Sequence, residues 1–133
     1  MIEIMFRGQR LDNNEFEYGY LISDNVQTRI VKYIGKYNSE ICECRSYEVK
    51  KETVGQFTGL KDIYQGDICK DDNGNIIEIV RSNHYQWGCK IIKGGVLAEG
   101  MVFPLWQYDK CEYNNNMSLT VIGNIHENKN LLK

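Results

Sequence analysis

Apolar residues recur at every second position along much of this chain, and no stretch carries them at helical spacing over three turns. Strict alternation fits a half-buried strand, whose side chains point to opposite faces in turn. The pattern therefore argues against a helical bundle and for short strands joined by turns. Residues 15–22 are the clearest case. Phe16, Tyr18, Tyr20 and Ile22 share one face while Glu15 and Glu17 take the other, which predicts a half-buried strand with an aromatic face. Asp12-Asn13-Asn14 precedes it with side chains that cap turns and tolerate positive φ, so residues 7–11 and 15–22 read as a hairpin.

The same style continues. Residues 28–34 are β-branched and close at Gly35. Residues 40–49 read as a further strand or pair, with Ile41, Glu43 and Arg45 facing away from Cys42, Cys44 and Ser46. The block Glu52-Thr53-Val54-Gly55-Gln56-Phe57-Thr58-Gly59-Leu60-Lys61-Asp62 reads as a strand, a tight bend and a polar loop. Ile63-Tyr64-Gln65-Gly66-Asp67-Ile68 then opens a second β segment. Asn73-Gly74 is a strong hairpin signal, because a type I′ turn needs positive φ at both central positions. Strands are expected at 76–81, 87–93, 96–103 and 118–122, with a break at Pro104, a solvated loop at 114–116 and a final helical turn docked by Leu131 and Leu132. The expected architecture is mainly β with few short helical turns. An N-terminal meander (1–60) packs on a small SH3-like barrel (61–133), and the two share one core because neither half is comfortably large alone.

Charge limits the function classes. The net charge is −2, and residues 1–60 and 61–133 each hold 8 Lys/Arg and 9 Asp/Glu. No half is basic enough to steer the chain toward nucleic acid or a membrane. The opening Met1-Ile2-Glu3-Ile4 lacks the apolar core of a signal peptide, and no run approaches the roughly 18 residues of a membrane span. A cytoplasmic protein with no membrane partner is expected. Cys42, Cys44, Cys69, Cys89 and Cys111 make an odd set, which reads as reduced thiols. Cys42 and Cys44, with His84 and His126, offer four metal ligands. Their one-residue spacer and the lack of a second knuckle favour two half-buried strand residues instead, so neither metal nor cofactor is expected.

Several segments together carry a resemblance. Arg7-Gly8-Gln9-Arg10-Leu11-Asp12-Asn13, the Gly19-Tyr20-Leu21-Ile22 strand, the 52–62 block, Ile63 to Ile68, and Val121-Ile122-Gly123-Asn124-Ile125-His126-Glu127-Asn128 fall in the order seen in the YopX family. The likeness runs from Arg7 to Leu132. Many relatives carry a longer Asn-Gly-containing turn where Asp62 here joins Ile63 directly. The resemblance implies phage or prophage origin, a mainly β fold and oligomeric assembly, and it brings no catalytic residues.

No phosphate loop, nucleophile elbow or His-Glu-x-x-His helix is present in the sequence. Glu52, Asp62 and Asp67 are the carboxylates an oxygen-ligated metal would use. Asp67, after Gly66 at a strand start, reads better as an acceptor of backbone N–H groups. An enzyme is not expected. Arg81, Lys90 and Lys93, with Tyr85 and Trp87, are candidates for stacking on and contacting nucleic acid, although Trp87 alternates with Cys89 and Ile91 as a core residue would. A macromolecular-interaction module is the favoured reading, with self-association and a host or phage protein as partners and nucleic-acid binding as the alternative. Trp106 and Tyr108, just past Pro104, are the expected exposed anchors.

Overall fold

Five strands form from the first alternating stretch: β1 (Phe6–Gln9), β2 (Phe16–Ser23), β3 (Thr28–Lys36), β4 (Cys42–Glu48) and β5 (Gly55–Gln56). They build one antiparallel sheet in the order β4-β3-β2-β1-β5. The computed structural model describes residues 5–36, 42–81, 86–95, 97–108 and 118–132. The predicted hairpin joins β1 to β2, with Arg7 opposite Tyr18. Asn14 takes φ 63° in its turn, a left-handed position that asparagine tolerates. At the β2–β3 turn the Asp24 carboxylate accepts the amides of Val26 and Gln27 at 2.7 and 2.8 Å. These bonds hold the carboxyl below its usual range.

The chain after β4 then folds back beside the end of β1. Arg10 bridges Val49, Leu11 N donates to Glu48 O at 3.1 Å and Lys50 N to Gln9 O at 2.8 Å. Val49 is buried over Gly8, where a Cβ would stand 2.8 Å from the valine Cγ2. A Cβ on Gly19 would meet Val31 O at 2.3 Å. Both glycines lie on the face of the sheet that carries the fully buried Ile30.

A second antiparallel sheet comprises β6 (Asp67–Asp71), β7 (Ile76–Arg81), β8 (Trp87–Lys93), β9 (Val102–Pro104) and β10 (Leu119–Asn124), in the order β10-β6-β7-β8-β9. Four consecutive strands run as a meander, and β10 returns to pair with the first of them. Cys69, Ile77, Ile79, Cys89 and Ile91 bury one face with Leu105 and Leu119, and Trp87 packs against this cluster. Trp87 thus lies against the core, as its alternation indicated. The two sheets belong to two compact units, Met1–Gly59 and Leu60–Lys133. Helical structure is confined to short 3-10 turns among the described residues, including Lys129–Leu132 at the position expected for a final turn.

Three expectations change. The second sheet is not a closed barrel, since no pairing joins β9 to β10 among the described residues. The strand expected at 96–103 is shorter and includes Pro104, which pairs with Gly88 on the sheet edge. Proline is tolerated there because the missing amide costs no ladder bond. The Asn73-Gly74 hairpin forms, but not as type I′. Positive φ falls on Gly74 alone, and the Asp71 carboxylate sets a wider turn by accepting the amides of Asn73 and Asn75 at 3.0 and 2.9 Å.

Candidate interaction surface

The aromatic face of β2 points outward. Tyr20 is 60% exposed and Ile22 59%, with Tyr18 also exposed. On β3, Val31 lies opposite Tyr20 and Arg29 opposite Ile22, and Tyr33, two residues on, is 52% exposed. Alternation found the faces correctly but gave no sign of which one is buried. The buried side is set by Gly8 and Gly19, whose missing side chains admit Val49 and the β3 backbone. Glu17 shares that side and is shielded by cations, Arg10 Nη1 at 3.3 Å and Lys32 Nζ at 3.2 Å. A paired carboxylate there removes the usual objection to placing glutamate on an inner face. Phe16 is the half-buried member of the aromatic row, with the Arg7 guanidinium 5.0 Å from its ring.

Trp106 and Tyr108 part company. Both lie in the 3-10 turn Leu105–Tyr108. Trp106 is 63% exposed, as expected, whereas Tyr108 is 1% exposed and is not an exposed anchor. Its hydroxyl donates to Asp71 Oδ2 at 2.9 Å. The same carboxylate oxygen accepts Asn75 Nδ2 at 2.8 Å, and Asn75 Oδ1 in turn accepts the amides of Gly95 and Leu97 at 2.8 and 3.1 Å. Burial alone would push the Asp71 carboxyl up, but the bonds from Asn75, Tyr108 and Asn73 outweigh it and hold it below its usual range. Burial and the Asp71 carboxylate push the Tyr108 phenol up. Burial, then the proximity of Cys69 and Asp71, pushes the Cys89 thiol up to about 12. These groups form a buried structural knot, and Cys89 in it stays a protonated thiol, whereas only a thiolate is nucleophilic.

Arg81, Lys90 and Lys93 do not form one basic face. Arg81 pairs with Trp87 across β7 and β8 and stacks 5.0 Å from its ring. Lys90 lies on the opposite face, across from Glu78 and Val102. Lys93 is at the far end of β8, opposite Ile76. Trp87 and Lys90, three residues apart on β8, lie on opposite faces, and the register shift between Ile76 and Ile77 interrupts simple alternation before Lys93. Tyr85 and His84 lie outside the described residues.

Of the candidate metal ligands, Cys44 and His126 have described side chains. No group of three or more His, Cys, Asp or Glu residues is placed to hold a metal among the described residues. Cys44 is exposed, while Cys69 and Cys89 are buried; Cys111 and the Cys42 side chain lie outside the described set. Glu52 and Asp62 are exposed, and Asp67 is buried with Oδ2 accepting Tyr64 N at 2.8 Å, the backbone role its position suggested. No helix among the described residues is long and apolar enough to cross a membrane.

Comparison with known families gives one match that spans nearly the whole chain: the model of the YopX protein family covers residues 5–133. No curated protein matches the sequence.

Proposed function

The chain belongs to the YopX protein family, and on that premise we propose that it is a phage- or prophage-encoded accessory protein acting in the bacterial cytoplasm. In this reading it is a non-enzymatic interaction module that binds protein partners, itself among them. The exposed apolar face of β2 and β3 supports the reading best. Tyr18, Tyr20, Ile22 and Tyr33 stand exposed on one face of two paired strands, and contiguous exposed aromatics are the kind of surface that anchors a partner. Tyrosines on a paired sheet are already ordered, so docking on them costs little additional entropy. Trp106 offers a second exposed anchor. Nucleic-acid binding has weaker support, because Arg81, Lys90 and Lys93 do not converge and phosphate contacts dominate such affinity.

The test is affinity capture from bacterial lysate, with and without nuclease, using the wild type and a Tyr20→Ala/Ile22→Ala variant whose circular dichroism is unchanged. A discrete protein retained by the wild type in both halves, and lost by the variant, supports the reading. Material retained only without nuclease turns it toward nucleic acid. Equal retention by the variant removes the β2–β3 face from the binding surface.

A further inference from the structure

We propose that the outer edge of β4 pairs antiparallel with the same edge of a second copy, on a two-fold axis through Cys44. This rests on the interaction reading above and names one of its partners. β4 is the last strand of its sheet, with only β3 beside it along residues 42–47 among the described residues. It contains no proline and no lysine; its charged residues Glu43, Arg45 and Glu48 guard the edge against an arbitrary strand, but not against one whose charges match them.

The direction of the backbone groups defines which residues are available. Val49 N donates inward to Thr28 O at 2.9 Å, whereas Glu48 O faces outward and accepts Leu11 N. In an antiparallel ladder the amide and carbonyl of one residue point to the same side, and the side alternates. Residues 42, 44 and 46 therefore present their amides and carbonyls outward. The outward carbonyl at Glu48 is already occupied by Leu11. Ser46 O accepts Arg29 Nη2 at 3.0 Å and keeps a second lone pair for an amide. The usable edge is residues 42–46, and its centre is Cys44.

Charge selects the same register. With Cys44 on the axis, Glu43 lies opposite Arg45 of the second copy, twice over. Both pairs occupy non-hydrogen-bonded positions, where facing side chains are closest and opposite charges stabilise. Neither Glu43 nor Arg45 forms an ion pair among the described residues. Moving the axis to Glu43 or to Arg45 sets like charges face to face. Moving it to Ser46 sets Cys44 against Glu48, whose outward carbonyl is already bonded. Tyr33 lies opposite Cys44 on β3, so this pairing also brings the exposed β2–β3 faces of the two copies side by side on one continuous sheet.

The experiment is a charge-swap cycle read by sedimentation velocity. The wild type is expected to self-associate. Glu43→Arg and Arg45→Glu should each weaken that association at least about tenfold, because each sets like charges opposite one another. An equimolar mixture of the two variants should restore it, since each then supplies the charge the other lacks; restoration also shows that both variants are folded. A short bismaleimide should join Cys44 to Cys44 in a Cys42→Ser/Cys111→Ser background, with the junction mapped by mass spectrometry. A monomeric wild type, self-association indifferent to both swaps, or a cross-link absent from Cys44 would overturn the pairing. A monomer that still retains a lysate protein through Tyr20 and Ile22 overturns the pairing alone; a monomer that retains nothing removes both readings.

Discussion

Asp71 shows how one carboxylate can organise a unit. It accepts four donors, two from the turn backbone, one from Asn75 and one from Tyr108. Asp71→Ala would leave the buried Asn75 amide and Tyr108 hydroxyl without this acceptor, and a loss of about 3 kcal/mol is expected in urea unfolding. Tyr108→Phe removes a single donor and is expected to cost about 1 kcal/mol. Because the folded-state carboxyl is held below its ordinary range, the native state binds fewer protons than the unfolded chain in acid. Its contribution is complete above the unfolded value of about 4 and fades as pH falls through the folded value. The midpoint of urea unfolding should therefore fall below pH 4 in the wild type and fall less steeply in Asp71→Ala. The Tyr108–Asp71 bond spans 37 positions, and no local signal in the sequence points to it. The exposure of Trp106 was legible because a proline stands just upstream, yet the same argument misplaced Tyr108 two residues later.

Among the elements, β2 carries the clearest lesson. Its alternation was legible and its hairpin partner was correctly assigned, but the orientation of its faces was not. Hydrophobicity alone favours burying the tyrosines, and the packing reverses this because Gly19 lies flat against the β3 backbone. The readable clue is that Gly19 shares a face with Glu17 and lies opposite Phe6 in β1, which leaves room for β3 to close on that side. Gly19→Ala would drive a methyl group into Val31 O, 2.3 Å from the ideal Cβ. A backbone atom cannot yield as a side-chain tip can, so a loss of about 2–3 kcal/mol is expected. Hydrogen exchange should localise that loss to β1, β2 and β3, with the β6–β8 amides unaffected. The opposite facing of Trp87 and Lys90 was legible too, since they stand three residues apart on one strand.

At the scale of the whole molecule, the balanced charge predicts how binding responds to salt. The net charge is −2, and the proposed β2–β3 contact surface is tyrosine and isoleucine. Partner affinity through that surface should change by less than about threefold between 50 and 200 mM salt, where a protein making 6–10 phosphate contacts loses 10³–10⁵. Titration calorimetry at the two salt concentrations distinguishes the cases. The β class and the hairpins were legible because they depend on neighbours in the sequence. That no pairing joins β9 to β10 among the described residues was not, because it depends on where two distant edges end.

The return of β10 to β6 carries a consequence for synthesis. β6 leaves the ribosome early, but its neighbour Leu119–Asn124 follows only after β7, β8 and β9 have been made. Until then one edge of β6 is open in the nascent chain, and vectorial folding cannot close it. That edge stays unpaired in the nascent chain throughout the interval between those two strands, and a translational pause placed within it would lengthen the exposure.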